Sequence, residues 1–393
     1  MVRFHFPLPS IHEMKKKRFL FSLSIFIISF IIADIAFSNF IFDYRVGYKC
    51  YNHSEDGSFY ELDKNCYAKM RLVSSIDSFE VYTNNDGERY SGKKKEKKFT
   101  NNEAYFFGDS FTFGAGSDWE NTFVGIIDNK INNYKIYNFA VPSYSPTVHY
   151  YKLQKILKEK NDIPKKIFVQ LDLTDVGDES ERWKAENDYS KPFLKNKDVK
   201  KEISNFKKIR RKNFKGSRLI ANYLREFSRK IRKTLVSENE KKNQYKPVNG
   251  NPSGGYIYTN FEELTGCKTK EKKTSFWTCG GVEKGLKKIE ERLKKIGSLS
   301  NSINAELYII IFPWPDTLNF GQINFNWEQY SDHLCKISKC KNVINLFPEF
   351  LEIKKNKYDW LEYLYLHNDI HLTPEANKIT ANKILKIGFN HID

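Results

Sequence analysis

The sequence of 393 residues lacks the motifs of several common chemistries. It has no Gly-Lys-Ser/Thr of the Walker type and no Gly-x-Gly-x-x-Gly, so neither usual nucleotide-binding signature is present. It has no internal repeat, and its six cysteines never form Cys-x-x-Cys, which makes a zinc site a poor explanation of them. We therefore expect no cofactor and no metal.

The composition excludes a disordered polymer, because 40% of the residues are apolar and 15% are aromatic. The net charge is +17, from 65 Lys and Arg against 48 Asp and Glu. Such a charge fits nucleic acid, an anionic membrane or an acidic polysaccharide as a partner, and it also fits a merely lysine-rich composition. Since no nucleic-acid motif is recognised, nucleic acid is not an expected partner.

A long apolar segment, from Phe19 to Phe42, predicts a membrane span. As a helix it would measure about 36 Å, which is enough to cross a hydrocarbon core of about 30 Å. Its one charge, Asp34, costs about 3 kcal/mol at worst, and the many Leu, Ile and Phe residues, at about −0.4 kcal/mol each, outweigh it.

The basic cluster Lys15 to Arg18 precedes this segment, and the positive-inside rule then places the C-terminal bulk outside the cytoplasm. We predict a cytoplasmic tail at 1–18, a signal anchor at 19–42 and a periplasmic or cell-surface remainder. A signal peptide cleaved at Ala36-Phe37-Ser38 is the alternative.

The cysteines fall into three local couples, which fits disulfides in an oxidising compartment. The couples are Cys50 with Cys66, Cys267 with Cys279, and Cys335 with Cys340.

The hydrophobic pattern predicts an α/β fold with a parallel sheet and helices on its faces. Residues 43–100 form an N-terminal extension with strands, and 101–393 form the main domain. In that domain EAYFF, KIYNF, KKIFVQL and ELYIII read as strands, and amphipathic segments follow most of them.

A basic, irregular insertion at 183–281 interrupts this alternation. It contains an apolar stripe beside many Lys and Arg residues: Leu219, Ile220, Tyr223, Leu224, Phe227 and Ile231. The stripe fits a lid or a membrane-surface element, and it equally fits a solvated helix packed on the core.

Three polar residues fit a nucleophilic site. Ser110 follows the buried strand EAYFF, where parallel sheets collect catalytic groups. His371 and Asp369 share a loop before the last helix, and a serine hydroxyl needs such a base together with an orienting carboxylate. The fold must bring this loop to Ser110, because most of the domain separates them in sequence.

Donors for an oxyanion come from the same strand ends. The candidates are the N–H groups of Ser110 and Ala140 and the hydroxyl of Thr174. Trp314 follows another strand and could stack on a sugar ring. Asp175, Asp178 and Glu179 are either a cation site or, more simply, water-facing acids.

Two blocks of the chain resemble the GDSL/SGNH hydrolase family. FFGDSFTFG, with Gly108-Asp109-Ser110, resembles the family's first block, and DIHLTPEANKITANKIL resembles its last. The resemblance covers about 101 to 393 apart from the insertion. It implies a three-layer, flavodoxin-like α/β/α fold, a nucleophile at Ser110, a base at His371 and an acid at Asp369.

The chain departs from the family pattern at three positions. Ala140 stands where the second block usually has glycine, and Thr174 stands where the third block usually has asparagine. The last block often reads Asp-x-x-His, whereas this chain has Asn368 at the distant position and Asp369 nearer. That closer spacing resembles membrane-anchored SGNH-like proteins that acetylate alginate and related exopolysaccharides.

The resemblance implies a serine-dependent ester hydrolase or O-acetyltransferase that acts on acyl groups of a surface or exported polysaccharide. A small ester is the simpler substrate, and other envelope proteins of polysaccharide modification are expected partners. The alternative is a non-catalytic glycan-binding or assembly protein that retains the fold.

Overall fold

The structure, a computed structural model, describes residues 11–41, 45–47, 49–54, 58–72, 78–93, 101–159, 163–188, 190–194, 213–235, 282–322, 325–367 and 369–390. These residues divide into two compact units. One combines Met1–Gly47 with Glu202–Lys233, and the other combines Tyr48–Lys201 with Thr234–Asp393. Of the predicted insertion, 183–188, 190–194 and 213–235 are described. The domain boundaries at 18, 42 and 100 remain predictions.

The strands, in chain order, are β1 Arg45–Gly47, β2 Tyr51–His53, β3 Tyr60–Leu62, β4 Cys66–Arg71, β5 Ser78–Thr83, β6 Arg89–Tyr90, β7 Glu103–Phe107, β8 Lys135–Asn138, β9 Lys166–Leu171, β10 Trp183–Lys184, β11 Phe193–Leu194, β12 Glu306–Ile311 and β13 Asn342–Asn345.

The helices are α1 Ile11–Ala36, α2 Ser110–Phe113, α3 Phe123–Lys130, α4 Pro146–Glu159, α5 Thr174–Gly177, α6 Lys215–Leu235, α7 Val282–Ser302, α8 Pro315–Phe320, α9 Trp327–Ser338, α10 Phe347–Asn356, α11 Trp360–Leu364 and α12 Pro374–Gly388. A π-helical turn, Phe37–Ile41, continues α1, and another, Asp178–Arg182, continues α5.

The central sheet of the second unit runs in the order β4-β5-β6-β8-β7-β9-β12-β13. Strands β8, β7, β9, β12 and β13 are parallel to one another. The predicted parallel sheet is confirmed. Its strands are the predicted apolar segments: every residue of β7 is buried, and so are Ile167–Leu171 of β9. Buried strands of this kind are expected where helices cover both faces.

Two groups of helices flank the sheet. Helix α3 packs against α12, and α7 packs against α4 and α9. The main core lies between these helices and the sheet, and aromatic rings run across it: Phe106 stacks on Phe168 at 4.5 Å, and Phe168 on Tyr308 at 4.9 Å. This arrangement is the α/β/α layering that the sequence predicts.

The extension before β7 joins the same sheet instead of forming a separate layer. Strands β4, β5 and β6 are antiparallel, and Arg89 of β6 pairs with Asn138 of β8. A second apolar cluster lies under the extension, and it includes Phe59, Phe79 and Trp183. The extension therefore borders the carboxyl end of β7, where Ser110 lies.

Two of the three predicted disulfides are present. Cys50 is bonded to Cys66 with Cα atoms 5.7 Å apart, and Cys335 is bonded to Cys340 with Cα atoms 4.7 Å apart. The predicted pair Cys267–Cys279 lies outside the described residues.

In the first unit, Lys17–Phe40 is helical, with a mean hydropathy of 2.4 in its most apolar window, and is long and apolar enough to cross a membrane. Helix α6 belongs to this unit. Four residues of its stripe, Ile220, Tyr223, Leu224 and Phe227, are exposed.

Candidate active site

Ser110 is the first residue of the short helix α2, directly after Gly108 and Asp109. Asp109 caps this helix, because its Oδ1 accepts a hydrogen bond from the N–H of Phe111 at 2.9 Å. Gly108 has no space for a side chain, since a Cβ there would lie 2.2 Å from Thr112 Oγ1 and 2.6 Å from Gln170 Oε1. The sharp turn from strand to helix thus places Ser110 at the carboxyl end of β7.

His371 and Asp369 are joined within one loop before α12. The Asp369 carboxylate accepts a hydrogen bond from the backbone N–H of His371 at 3.0 Å and contacts the imidazole Nδ1. Both side chains are mostly buried, at 13% exposure for His371 and 12% for Asp369. The carboxylate therefore fixes the ring orientation and leaves Nε2 as the nitrogen that can take a proton.

The fold brings this loop next to the serine. The His371 ring lies 5.1 Å, centroid to centroid, from the ring of Phe111, the residue that follows Ser110. Its Nε2 is buried and has no hydrogen-bond partner among the described residues. Asn368, at the family's more distant acidic position, lies outside the described residues.

The three predicted oxyanion donors differ in what they now contact. The N–H of Ser110, at the first position of α2, has no acceptor within its helix. The N–H of Ala140 donates to Asn138 Oδ1 at 3.1 Å, and the Thr174 hydroxyl donates to Asp172 Oδ1 at 2.5 Å. Both of the latter groups would have to exchange a bond before stabilising an oxyanion, and their roles remain predictions.

A cluster of buried carboxyl groups lies beside Ser110. Its member Asp175 was expected to bind a cation or face water, and the other two acids were not expected at the site. Asp109, Asp172 and Asp175 are 6%, 2% and 3% exposed. Burial raises the pKa of each carboxyl, and for Asp109 and Asp175 the neighbouring Asp172 raises it further. The pKa of Asp172 is held down in part by bonds from Thr174, Asp109 and Trp314. No sequence signal distinguishes these acids from solvated ones.

The acids predicted to face water or bind a cation are also buried. Glu179 is fully buried and accepts hydrogen bonds from Ser145 Oγ, Thr147 N and Thr147 Oγ1, each at 2.6 Å, at the start of α4. Asp178 pairs with Arg182 at 3.7 Å, and burial raises its pKa to about 8. These side chains bind protein donors and hold loops, so water exposure was the wrong expectation.

Trp314 is 2% exposed and lies 6.3 Å from Phe111, ring to ring. Its indole helps to lower the pKa of Asp172. A ring in this position offers no open face to a sugar, so the predicted stacking requires the loop to open and stays a prediction.

Arg89 holds the segment that follows the serine, and no pattern in the sequence indicates this role. Its guanidinium donates to the carbonyl oxygens of Phe113, Gly114 and Ser117, at 2.8 Å for Gly114 and 2.6 Å for Ser117. It also lies over the Phe113 ring at 4.8 Å. Burial lowers its pKa to about 9, and the charges of Asp118 and Glu120 oppose that shift.

No family model and no curated protein sequence matches the chain. Solved structures similar to it include a member of the lipolytic G-D-S-L family from Veillonella parvula, with 12% identity, a TM-score of 0.39 and coverage of 74% of this chain and 99% of that one. An acetyl xylan esterase from Geobacillus stearothermophilus shows 10% identity, a TM-score of 0.36 and coverage of 75% and 98%.

A third, the psychrotrophic esterase EstA from a Pseudoalteromonas species, shows 9% identity, a TM-score of 0.35 and coverage of 74% and 97%. The chain is therefore similar to solved G-D-S-L lipolytic proteins and esterases.

Proposed function

We propose that the protein is a serine-dependent ester hydrolase or acyltransferase with Ser110 as nucleophile. The observation that carries the proposal is the Asp369–His371 pair, whose ring packs on Phe111 beside Ser110. A serine hydroxyl becomes nucleophilic when a positioned imidazole takes its proton, and a carboxylate on the far nitrogen stabilises the imidazolium that forms.

The reaction has two halves. Ser110 Oγ attacks the ester carbonyl while its proton moves to His371 Nε2, and the carbonyl oxygen becomes an oxyanion near the Ser110 N–H. Collapse of this intermediate breaks the ester C–O bond, and the alkoxide leaves with the proton from Nε2. Water or a sugar hydroxyl then attacks the acyl-serine with His371 again as base, which gives hydrolysis or transfer.

The substrate is proposed to be an O-acylated, most simply O-acetylated, polysaccharide outside the cytoplasm. Support comes from the apolar helix at Lys17–Phe40, the basic residues before it and the two disulfides, which fit an oxidising compartment. The spacing Asp369-x-His371 adds the resemblance to exopolysaccharide acetylation proteins.

Covalent labelling with a fluorophosphonate tests the nucleophile. The full chain in detergent should react at Ser110, and Ser110→Ala and His371→Ala should each reduce labelling at least a hundredfold, since general-base catalysis contributes about 10²–10⁴-fold. Ser91→Ala is the matched control, because Ser91 lies on the β5–β6 side of the sheet and bonds only locally, to Lys93.

Retention of labelling in Ser110→Ala, or its absence from a folded wild-type chain, would contradict the proposal. A reactive protein is then offered an acetyl ester with and without sugar hydroxyls. Free acetate alone identifies a hydrolase, and acetylated sugar identifies a transferase.

A non-catalytic glycan-binding role is the second candidate. It is favoured by the bonds that already occupy the Ala140 N–H and the Thr174 hydroxyl, since losing one oxyanion donor costs about 3 kcal/mol in the transition state. A folded wild-type chain that retains glycan binding and fails to label supports this role.

A further inference from the structure

The start of helix α6 is closed by side chains of the apolar N-terminal helix. Asp34 Oδ1 accepts a hydrogen bond from the N–H of Gly216 at 2.7 Å, and Asp34 Oδ2 accepts one from the N–H of Ser217 at 3.0 Å. Ser38 Oγ accepts a third from the N–H of Lys215 at 2.7 Å. The first N–H groups of a helix lack acceptors of their own, so α1 caps α6.

The two segments approach closely at this point. A Cβ on Gly216 would lie 2.7 Å from Asp34 Oδ1 and 3.4 Å from Phe37 Cδ1, so glycine is the residue that fits. Asp34 itself is only 5% exposed. Asp34, the single carboxylate of the apolar segment, therefore accepts hydrogen bonds from α6. These bonds place the start of α6 beside Asp34 on α1.

That position corresponds to the boundary of a bilayer. A hydrocarbon core of about 30 Å takes up about 20 helical residues, which carries the core from Phe19 to near Ser38. Asp34 then lies about 6 Å inside the outer edge. Interfacial amphipathic helices bury their apolar face to about 5–10 Å in this region, so α6 begins at the depth where such a helix lies.

The exposed side chains of α6 have the chemistry of an interfacial helix. Ile220, Tyr223, Leu224 and Phe227 recur at helical spacing and are 49%, 68%, 56% and 54% exposed. Seven other residues of the helix are basic in the sequence: Lys215, Arg218, Arg225, Arg229, Lys230, Arg232 and Lys233. An apolar stripe with many cations is complementary to acyl chains and anionic headgroups.

We propose that α6 lies in the outer interface of the membrane that α1 spans, with its apolar stripe among the acyl chains and its basic residues at anionic headgroups. The proposal rests on the proposed anchor and is independent of the esterase chemistry. It also requires that α1 is retained, since cleavage at Ala36-Phe37-Ser38 would remove Asp34 and with it the acceptor for Gly216 and Ser217.

Quenching by brominated lipid tests the placement. The full chain carrying Phe227→Trp is reconstituted at one copy per nanodisc in phosphatidylcholine and phosphatidylglycerol brominated near the glycerol backbone. Asn222→Trp is the matched control, because residue 222 lies two positions from both Ile220 and Leu224 and so on the opposite side by helical spacing. The wild-type chain supplies the background from its native tryptophans.

We expect the quenching added at position 227 to exceed that at 222 at least twofold, and to fall when phosphatidylglycerol is omitted. Equal quenching at the two positions would overturn the proposal. Failure of the chain to enter nanodiscs would instead refute the anchor, so the two failures are distinguishable. Labelling at Ser110 is measured separately and decides neither outcome.

Discussion

Asp109 and Asp172 place two carboxyl groups side by side at the ends of β7 and β9. Asp172 Oδ1 accepts hydrogen bonds from the N–H of Thr174 at 2.7 Å and from the Thr174 hydroxyl at 2.5 Å. Asp172 also interacts with Trp314. Burial, together with repulsion from Asp172, raises the pKa of Asp109 well above its usual range.

The burial of Asp178 predicts that stability falls as the pH rises from about 4 to about 8. The pKa of Asp178 is about 8 in the folded chain and about 4 when unfolded, so its stabilisation is complete below about pH 4 and is lost as the pH rises towards 8. His149 has the opposite sign: burial lowers its pKa to about 3, so its contribution is lost only as the pH falls below about 6.5.

Of these two groups, therefore, only the Asp178 carboxyl changes the stability between pH 6.5 and 8. We expect a lower melting temperature at pH 8 than at pH 6.5 for the chain in detergent, with a slope of about 1.4 kcal/mol per pH unit for each proton released. Asp178→Asn should flatten this dependence, and Asp86→Asn, in an exposed turn, is the control. A stability that rises over this interval would contradict the assignment.

At the scale of elements, apolar runs were sufficient to predict β7, β9 and β12 and their parallel arrangement, because buried strands carry continuous hydrophobic sequence. The capping of α3 was not predictable in the same way. A short 3₁₀ turn, Trp119–Asn121, precedes the helix, and Thr122 caps it by accepting a hydrogen bond from the N–H of Gly125 at 3.0 Å.

The features that the sequence does not predict depend on contacts between residues that are far apart in the chain. The contact of β6 with β8 depends on Arg89 and Asn138, which no local pattern relates. Ser110, Asp369 and His371 could be singled out as site candidates because their residue types and flanking motifs are distinctive. Arg89 and the buried acids have no such flanking signature, and their environment exists only after the sheet has formed.

Arg89 connects the β5–β6 hairpin to the segment after the nucleophile. We expect Arg89→Met to keep part of the packing between Phe79 and Phe113 but to leave the carbonyls of Phe113, Gly114 and Ser117 unpaired. Each unpaired buried group costs about 1–3 kcal/mol, so the melting temperature should fall by several degrees and fluorophosphonate labelling should slow.

Arg71→Met is the matched control for this change, because Arg71 is an exposed residue of β4. Wild-type melting and labelling in Arg89→Met would show that the guanidinium does not hold α2.

At the scale of the whole molecule, charge and thiol chemistry give independent information about the compartment. The basic residues Lys15 to Arg18 precede the apolar helix, and both observed disulfides follow it. The positive-inside rule and the oxidising character of extracytoplasmic compartments both support the proposal that the α/β domain lies outside the cytoplasm.

We expect the intact protein, purified without reductant and then denatured, to leave Cys50, Cys66, Cys335 and Cys340 unalkylated by N-ethylmaleimide. Reduction before alkylation should expose all four thiols to the reagent, and peptide mass mapping reads both results. The same map examines Cys267 and Cys279. Alkylation of the four residues without reductant would place the domain in a reducing compartment.

The cap that Asp34 provides for α6 also sets an order of events during biosynthesis. The carboxylate and the N–H of Gly216 are 182 residues apart in the chain. At about 5–20 residues per second, ribosomes need roughly 10–40 s to make the intervening segment. The apolar segment is therefore made long before the N–H groups that bind its carboxylate, and a nascent chain that ends before α6 lacks those donors.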